Sequence, residues 1–305
     1  MKISPIVLFV YNRPWHTRQT IEALQKNELS SESELFIYAD GAKSSKTVNK
    51  VMQVRKYIET ISGFKKVTII ERDKNWGLAD SIIEGVTSII NKYGRIIVLE
   101  DDIVTSPYFL SFMNEALEFY QNEEKVWHIS GWNYPATFNS NCDVYLYRSM
   151  NCWGWATWSD NWNFFEKNTD KLVGDFSKTD IDRFNLDGAN NWWQQVILNK
   201  RRIINTWAIY WYATIFKKNG LCLNPVHSFV KNIGFDGGGI HCNDDSYQDN
   251  KVLNNKSVIN FNIVIDENSN MVAQIQNYLR KQNKNIVVRV INKISRMFFG
   301  RRLIK

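Results

Sequence analysis

Three consecutive carboxylates, Glu100–Asp102, are the residues of this sequence best suited to chemistry. They directly follow the apolar run 95–99 (RIIVL). Like charges this close together are unfavourable unless a cation compensates them, and carboxylate oxygens suit Mg²⁺ or Mn²⁺. Such ions also bind substrate phosphates and make a diphosphate a better leaving group. This acidic triplet therefore indicates a site for a metal and a diphosphate, with a solvated acidic turn as the alternative.

Two loops and one histidine could complete such a site. Asp40-Gly41 follows an apolar run, and Asn75–Ala79 (NWGLA) places Asn and Gly where a strand-to-helix connection needs unusual dihedral angles. Each loop also has a full explanation as a turn. His241 follows three glycines and could reach a metal or a phosphate, or be structural. No stretch fits the glycine patterns of dinucleotide or P-loop sites, and local spacing supports no nucleophile–histidine arrangement.

The elements that position these residues alternate in the first hundred positions. The patterns predict strands at 5–11, 34–39, 66–71 and 95–99, and helices at 17–24, 47–61 and 78–93. This alternation predicts a parallel sheet with right-handed crossovers. Ligands of such sheets bind beyond the carboxyl ends of the strands. Asn12-Arg13, Asp40-Gly41, the loop 72–77 and the acidic triplet each follow a strand, so we expect all four at one edge.

The second half is less regular. We predict helices at 107–120, 189–199 and 207–219 and strands at 126–130 and 221–224. No linker separates the halves, so we expect one domain over 1–265 and a basic tail over 266–305. Residues 280–305 contain nine Lys/Arg and no acid, and 287–299 has amphipathic helical spacing. That segment is either a contact with an anionic membrane or partner, or a helix docked on its own domain.

Composition narrows the class of protein. Of 38 basic residues, nine lie in the tail, which leaves 29 against 31 acidic residues and argues against nucleic-acid binding. No run of 18 apolar residues is present, and the amino terminus reads as a strand instead of a signal peptide. The four cysteines form no CxxC pair, which argues against a zinc site or disulfide framework and favours a reducing cytoplasm.

Seven motifs, in order, resemble bacterial family-2-like glycosyltransferases of the GT-A fold. They span Pro5 to Cys242: PIVLFVYNRPWHTRQTIEAL, YADGA, NWGLADSI, VLEDDIVTSPYFLSFMNEALEFY, ISGWNYP, CWGWATW and NGLCLNPVHSFVKNIGFDGGGIHC. The acidic triplet, the GW segment and the late glycine-rich loop with its histidine are also distantly similar to the N-acetylglucosaminyltransferase I family.

The resemblance implies a Rossmann-like α/β/α sandwich of three layers with a mostly parallel central sheet. It implies transfer of a sugar from a nucleotide diphosphate sugar, with UDP-sugars favoured and Mn²⁺ or Mg²⁺ as cofactor. The acceptor would be a glycan or a lipid-linked glycan in bacterial surface polysaccharide synthesis. The expected location is the cytoplasm, with the tail as a peripheral contact at the inner face of the membrane.

Residue roles follow from the same resemblance. The base and ribose would be held by Phe9, Tyr11, Asn12, Arg13 and Asp40. The loop that closes over the nucleotide would contribute Asn75, Gly77, Leu78 and Ala79, with Arg72 nearby. Glu100 and Asp101 would contact the donor, Asp102 would bind the metal, and His241 would be a second metal or diphosphate contact. The sugar and acceptor pocket would be shaped by Trp132, Asn133, Trp153, Gly154 and Trp155.

The sequence departs from this family at the catalytic base. Many inverting relatives carry a carboxylate where the helix before the late strand begins, and here Ile209-Tyr210 occupies that place. An inverting displacement needs a base near the acceptor oxygen. Asp187 is our first candidate and Asp236 our second, with a retaining mechanism or weak activity as further alternatives.

Two other functions compete with sugar transfer. A nucleotidyltransferase is disfavoured because no glycine-rich loop with a basic residue follows the first strand. A sugar-nucleotide or glycan-binding protein of the same fold, without transfer activity, stays open.

Overall fold

The computed structural model of the protein describes residues 1–235 and 252–283. Its first part alternates strands and helices as the sequence predicts. In chain order these are β1 (Ile6–Val10), α1 (Pro14–Gln25), β2 (Glu34–Ala39), α2 (Ser45–Ile58), β3 (Lys66–Glu71), α3 (Leu78–Tyr93) and β4 (Arg95–Glu100). A 3₁₀ turn at Ser30–Glu32 precedes β2. β3, β2, β1 and β4 lie side by side and pair in parallel.

The second part contains more and shorter elements than the sequence predicts. They are β5 (Ile103–Thr105), α4 (Phe109–Phe119), β6 (Val126–Ser130), β7 (Val144–Tyr147), β8 (Trp155–Trp158), α5 (Ser159–Trp162), α6 (Thr169–Asp175), α7 (Lys178–Phe184), α8 (Trp193–Lys200), α9 (Ala208–Lys217), β9 (Leu221–Pro225) and β10 (Val230–Asn232). A last helix, α10, covers the described residues 269–283.

The main sheet has eight strands in the order β3-β2-β1-β4-β8-β6-β9-β7. Only β8 and β7 run against the others, because each pairs antiparallel with its neighbours while β6 and β9 pair in parallel. β5 and β10 form a separate antiparallel pair. The predicted mostly parallel α/β sheet is confirmed.

Alternate side chains of the buried strands face opposite layers of helices. In β1, Ile6, Leu8 and Val10 pack in the cluster that also holds residues of α1, α2 and α4. Val7 and Phe9 pack in the second cluster, with residues of α3 and α9. Because strand side chains alternate with period two, a strand buried on both faces reads as a continuous apolar run. The protein is therefore a three-layer α/β/α sandwich.

The topology fixes where a ligand can bind. β1 lies between β2 and β4. The chain therefore runs from β1 to β2 and β3 on one side, and then crosses back to β4 on the other side of β1. The loops that follow these strands diverge at their carboxyl ends, and open α/β sheets bind ligands in the crevice that results. The segments that the sequence singled out, after β1, β2, β3 and β4, all begin at this edge.

Helix α10 packs on the same domain. Met271, Ile275 and Leu279 are buried in the cluster beneath β1 and α4. The boundary predicted at residue 265 stays a prediction, although α10, which begins four residues later, is part of this core. The amphipathic segment 287–299 lies outside the described residues. No helix in the described ranges is long and apolar enough to cross a membrane.

Candidate functional site

The acidic triplet lies at the carboxyl end of β4, next to β1. Asp101 and Asp102 are 8% and 9% exposed. One guanidinium nitrogen of Arg13, from the end of β1, lies 2.8 Å from Asp102 Oδ2 and 3.8 Å from Asp101 Oδ1. The buried hydroxyl of Thr20 in α1 donates to the carbonyl oxygen of Asp101 at 2.9 Å. Helix α1 therefore fixes the turn that presents these carboxylates.

The three carboxylates repel one another. Burial raises the pKa of Glu100 well above its usual range, and the charges of Asp102 and Asp101 raise it further while Arg13 lowers it. Burial and Asp102 raise the pKa of Asp101 to about 7, opposed by Arg13 and by the backbone N–H of Tyr11. Within the described part of the chain, one guanidinium thus compensates the triplet, and only in part. A second cation at this place would stabilise the ionised form of all three groups.

A distant segment closes the other side of Asp102. β10 pairs with β5, which follows the triplet directly, and the Ile233 N–H donates to the Asp102 carbonyl oxygen at 2.9 Å. Gly234 lies so near that a Cβ there would be 2.2 Å from Asp102 Oδ2. The chain at 232–235 therefore lies against the carboxylate. Asp236 and His241 follow it in sequence, and both lie outside the described residues.

The carboxylate oxygens of this site suit a metal ion that binds together with a phosphate. Within residues 1–235 and 252–283, no group of three or more His, Cys, Asp or Glu side chains is arranged to hold an ion. Asp101 and Asp102 nevertheless offer oxygen ligands, and Arg13 is the cation that pairs with them in the part of the chain that the structure describes. Mg²⁺ is commonly held by one or two carboxylates and completed by water and substrate phosphates.

Asp40, the residue after β2, anchors the loop between β3 and α3. One carboxylate oxygen accepts from the backbone N–H groups of Gly41 and Trp76 at 2.9 and 2.8 Å. The other accepts from the Asn75 amide at 2.8 Å and the Gly77 N–H at 3.0 Å. These four hydrogen bonds occupy the carboxylate. Asp40 therefore shapes the predicted nucleotide loop from beneath.

Arg72 and Trp76 form a stack on that loop. The Arg72 guanidinium lies 3.9 Å from the centre of the Trp76 ring and 5.0 Å from that of Tyr38. It also forms an ion pair with Glu84 in α3. Trp76 keeps 37% of its surface exposed, and the Arg72 guanidinium stacks on its ring.

The other predicted nucleotide residues divide between surface and core. Tyr11 and Asn12 are half-buried at the edge, and the Tyr11 hydroxyl accepts from the Lys43 N–H at 3.1 Å. Leu78 is 41% exposed, whereas Phe9 and Ala79 are buried in the core between the sheet and α3. Phe9 and Ala79 therefore support the crevice from the core, and their contact with the base stays a prediction.

Most of the predicted sugar-pocket residues also lie in the core. Trp132, Asn133 and Trp155 are 3%, 2% and 1% exposed. The Asn133 amide donates to the Val226 carbonyl, and its oxygen accepts from the Tyr145 hydroxyl. These three residues lie in the core and position neighbouring groups, and their contact with a sugar stays a prediction.

Trp153 differs from those three because it is only half-buried. Its ring meets Trp132 at 4.6 Å and Phe235 at 5.6 Å, edge to face. It lies next to Gly154, a buried residue with a φ of 63°. Trp153 therefore lies beside the segment that closes over Asp102 and is the predicted aromatic residue best placed to contact a sugar.

Asp187 lies away from the acidic triplet. Its carboxylate pairs with Arg148 and accepts from the Gln276 amide at 2.8 Å. Arg148 follows β7, whose carboxyl end aligns with the amino end of β4 and is four strands away. The structure therefore places our first candidate base at the opposite edge of the sheet, where it joins α7 to α10.

The first turn of α9 contains no acidic residue, in agreement with the sequence. Tyr210 is buried there, and its hydroxyl is hydrogen-bonded to Thr169. Sequence reasoning missed Thr20 and Gly234, which hold the two sides of the triplet. Gly234 could have been noticed because Asn232-Ile233-Gly234 leads into the glycine-rich stretch, whereas nothing local marks Thr20.

The chain belongs to the GNT-I family, a family of glycosyltransferases, whose model matches residues 1–172. No curated protein matches the chain.

Solved structures give weaker similarities. One is TarS from S. aureus, at 13% identity and a TM-score of 0.29 over 38% of this chain and 20% of that one. The chain thus spans about a fifth of the length of TarS. The mannosyltransferase PcManGT from Pyrobaculum calidifontis, solved with GDP-Man and Mn²⁺, gives 10% identity and a TM-score of 0.39 over 72% of this chain and 70% of that one.

Proposed function

We propose that this protein transfers a sugar from a nucleotide diphosphate sugar to a hydroxyl group of a glycan or lipid-linked acceptor. The observation that carries the proposal is the carboxylate triplet Glu100–Asp102 at the carboxyl edge of a parallel sheet, in which Asp101 and Asp102 are buried and Arg13 is the cation that pairs with them among the described residues. Family membership supports the same chemistry.

Different residues around the crevice would bind different parts of the nucleotide sugar. Trp76, backed by Arg72, offers a flat face for the base, and the loop that Asp40 anchors would hold the nucleoside. Asp101 and Asp102 would hold Mn²⁺ or Mg²⁺ against the diphosphate. When bound, such an ion neutralises the negative charge that develops on the leaving diphosphate.

The base that receives the acceptor proton is proposed to be Asp236. It is the second residue after Gly234, which contacts Asp102, whereas Asp187 is held by Arg148 at the other edge. His241 remains our proposed second contact for the metal or the diphosphate.

The donor type, the biological role and the location are proposed from the resemblance of the sequence to bacterial glycosyltransferases. We propose a UDP-sugar donor and a role in bacterial surface polysaccharide synthesis at the cytoplasmic face of the membrane. The basic segment 280–305 would provide a peripheral contact with anionic lipid.

Donor turnover separates a transferase from a binding protein of the same fold. We would measure Mn²⁺-dependent hydrolysis of UDP-sugars by the wild type and by Asp236→Asn and Asp187→Asn. The proposal expects turnover by the wild type, a loss of about a hundredfold in Asp236→Asn and little change in Asp187→Asn. Binding without turnover would favour the non-catalytic protein, and a loss in Asp187→Asn alone would restore our first candidate.

A further inference from the structure

A cavity of about 450 Å³ lies between α6, α8 and the start of α9. Its volume falls within the range of about 300–1,000 Å³ that small-molecule sites occupy. Its polar lining consists of Lys167, Thr169, Asn199, Arg202, Asn205 and Tyr210, and no carboxylate lines it among the described residues. The lining thus carries two cations together with neutral polar side chains.

Two contacts relate the cavity to the elements that carry the candidate donor site. Trp207, which directly precedes α9, stacks on Trp155 at 5.1 Å, and Trp155 is in register with Val98, two residues before the acidic triplet. On the other side, Lys167 Nζ lies 3.6 Å from Asp80 Oδ1 in the first turn of α3. The cavity therefore lies on the face of the sheet that α3 and α9 cover, and its Lys167 reaches the first turn of α3, which follows the predicted nucleotide loop.

Hydrogen bonds hold the cavity walls in place. The Asn199 side chain accepts from the Thr206 N–H at 3.0 Å and donates to the Thr206 hydroxyl at 2.8 Å, which closes the loop between α8 and α9. The hydroxyls of Thr169 and Tyr210 bond to each other across the opposite wall. A cavity that is already formed binds a ligand with less ordering of side chains.

Arg202 occupies an unusual backbone position. Its φ of 57° is left-handed, and its N–H bonds to the Asn199 carbonyl while that of Ile203 bonds to Leu198. This is the helix ending at which glycine is favoured, since any side chain there is strained. Strain of this kind is often found at functional positions.

The two cationic side chains of the cavity, Lys167 and Arg202, differ in how far carboxylates compensate their charge. Asp80 partly compensates Lys167, and nearby Asp170 pairs with Lys200 at 3.3 Å. In the described part of the chain no carboxylate forms an ion pair with Arg202. A guanidinium with free donors is the side chain best suited to a phosphate, which it can bind through two parallel hydrogen bonds.

We infer that this cavity binds a phosphate group of the acceptor, so that the acceptor is a phosphorylated lipid or a phosphodiester-containing glycan. The inference rests on the proposed function, because it assigns the donor's own diphosphate to the acidic triplet and leaves the cavity to the acceptor.

Both proposed acceptor classes contain a phosphate group, so phosphate binding is tested first with inorganic phosphate. Binding would be measured calorimetrically in EDTA, which removes any metal-dependent phosphate site, for the wild type, Arg202→Gln and Arg201→Gln. Arg201 is the matched control, since it is an exposed neighbour of the same charge that does not line the cavity. We expect Arg202→Gln to weaken phosphate binding about tenfold or more and Arg201→Gln to change it little. Equal weakening in both variants, or no binding by the wild type, would overturn the inference.

Arg202→Gly provides a check on folding. Glycine suits the left-handed position, so this variant should fold as well as the wild type and still lose phosphate binding. If Arg202→Gly kept the wild-type affinity, the side chain would have no role in the site.

Two compounds distinguish the source of the phosphate. Farnesyl diphosphate stands for a lipid-linked acceptor, and glycerophosphoglycerol, which is a phosphodiester, stands for a phosphodiester glycan. The compound whose binding depends on Arg202 identifies the acceptor class, and no such dependence for either would contradict the assignment. Nucleotide binding with Mn²⁺ is measured in the same variants, so its absence would refute the proposed function separately.

Discussion

At the scale of single residues, buried hydrogen bonds decide which protonation state of a side chain is compatible with the folded structure. His128 in β6 shows this most clearly. Its Nδ1 accepts from the Trp211 indole at 3.2 Å, and its Nε2 lies 2.9 Å from the Asn151 carbonyl, to which it donates. A protonated ring would turn a second N–H toward the indole N–H, so the structure requires the neutral form.

This requirement makes stability depend on pH. Burial lowers the pKa of His128 to about 3, against a bond to Asn151 that raises it. Below pH 6.5 the unfolded chain binds a proton that the folded protein excludes, so the free energy of unfolding falls as the pH decreases from 6.5 toward 3. The loss should reach about 4 kcal/mol.

Chemical denaturation across that pH range tests the prediction. His128→Gln keeps an amide that can donate and accept but does not titrate. We expect it to be less stable at pH 7 and to lose less stability on acidification. An unchanged pH slope in His128→Gln would show that other groups control acid unfolding.

At the scale of elements, the sequence predicted the first half of the sheet because β1, β2 and β4 are buried and β3, at the edge of the sheet, is half-buried over its apolar residues. Near-continuous apolar runs bounded by polar loops locate β1, β2, β3 and β4 within one residue at each end. The edge at which the loops meet follows from that alternation alone.

The second half depends on contacts that no local pattern contains. β5 and β10 have three residues each and exist because positions 103–105 and 230–232 pair across the fold. β7 and β8 lie in an aromatic-rich stretch whose side chains suit a core as well as a pocket. The direction of β7 sets the place of Asp187, so counting residues along the chain could not locate it. The capping box at Ser177 was a local signal for α7 that could have been read.

The loop that Asp40 anchors depends on the absence of a side chain at Gly41. A Cβ there would lie 2.4 Å from the backbone carbonyl carbon of Lys74. We therefore predict that Gly41→Ala displaces the loop, destabilises the protein by about 1–3 kcal/mol and weakens nucleotide binding. Thermal unfolding with and without UDP measures both effects.

Gly174→Ala in α6 is the matched control, because a Cβ there meets open space. It should stabilise the helix by up to about 1 kcal/mol and leave nucleotide binding unchanged. Gly41→Ala with the stability and affinity of the wild type would show that the loop tolerates a side chain.

At the scale of the whole molecule, α10 ties the carboxyl-terminal part of the chain to the domain. Ile275 is fully buried, and Ile275→Ala should lower the free energy of unfolding by about 3 kcal/mol. Asn277→Ala on the exposed face of the same helix should have little effect. Equal stability of the two variants in urea would place α10 outside the cooperative core.

We propose that Glu100–Asp102 holds a metal-bound nucleotide diphosphate at the carboxyl edge of the sheet, and calorimetric titration of UDP and UDP-sugars with and without Mn²⁺ is the decisive measurement. Binding should require Mn²⁺, disappear in EDTA and weaken about tenfold or more in Asp102→Asn, but not in the exposed control Asp160→Asn. Binding that is unaffected by EDTA and by Asp102→Asn would show that the triplet holds no metal-bound diphosphate.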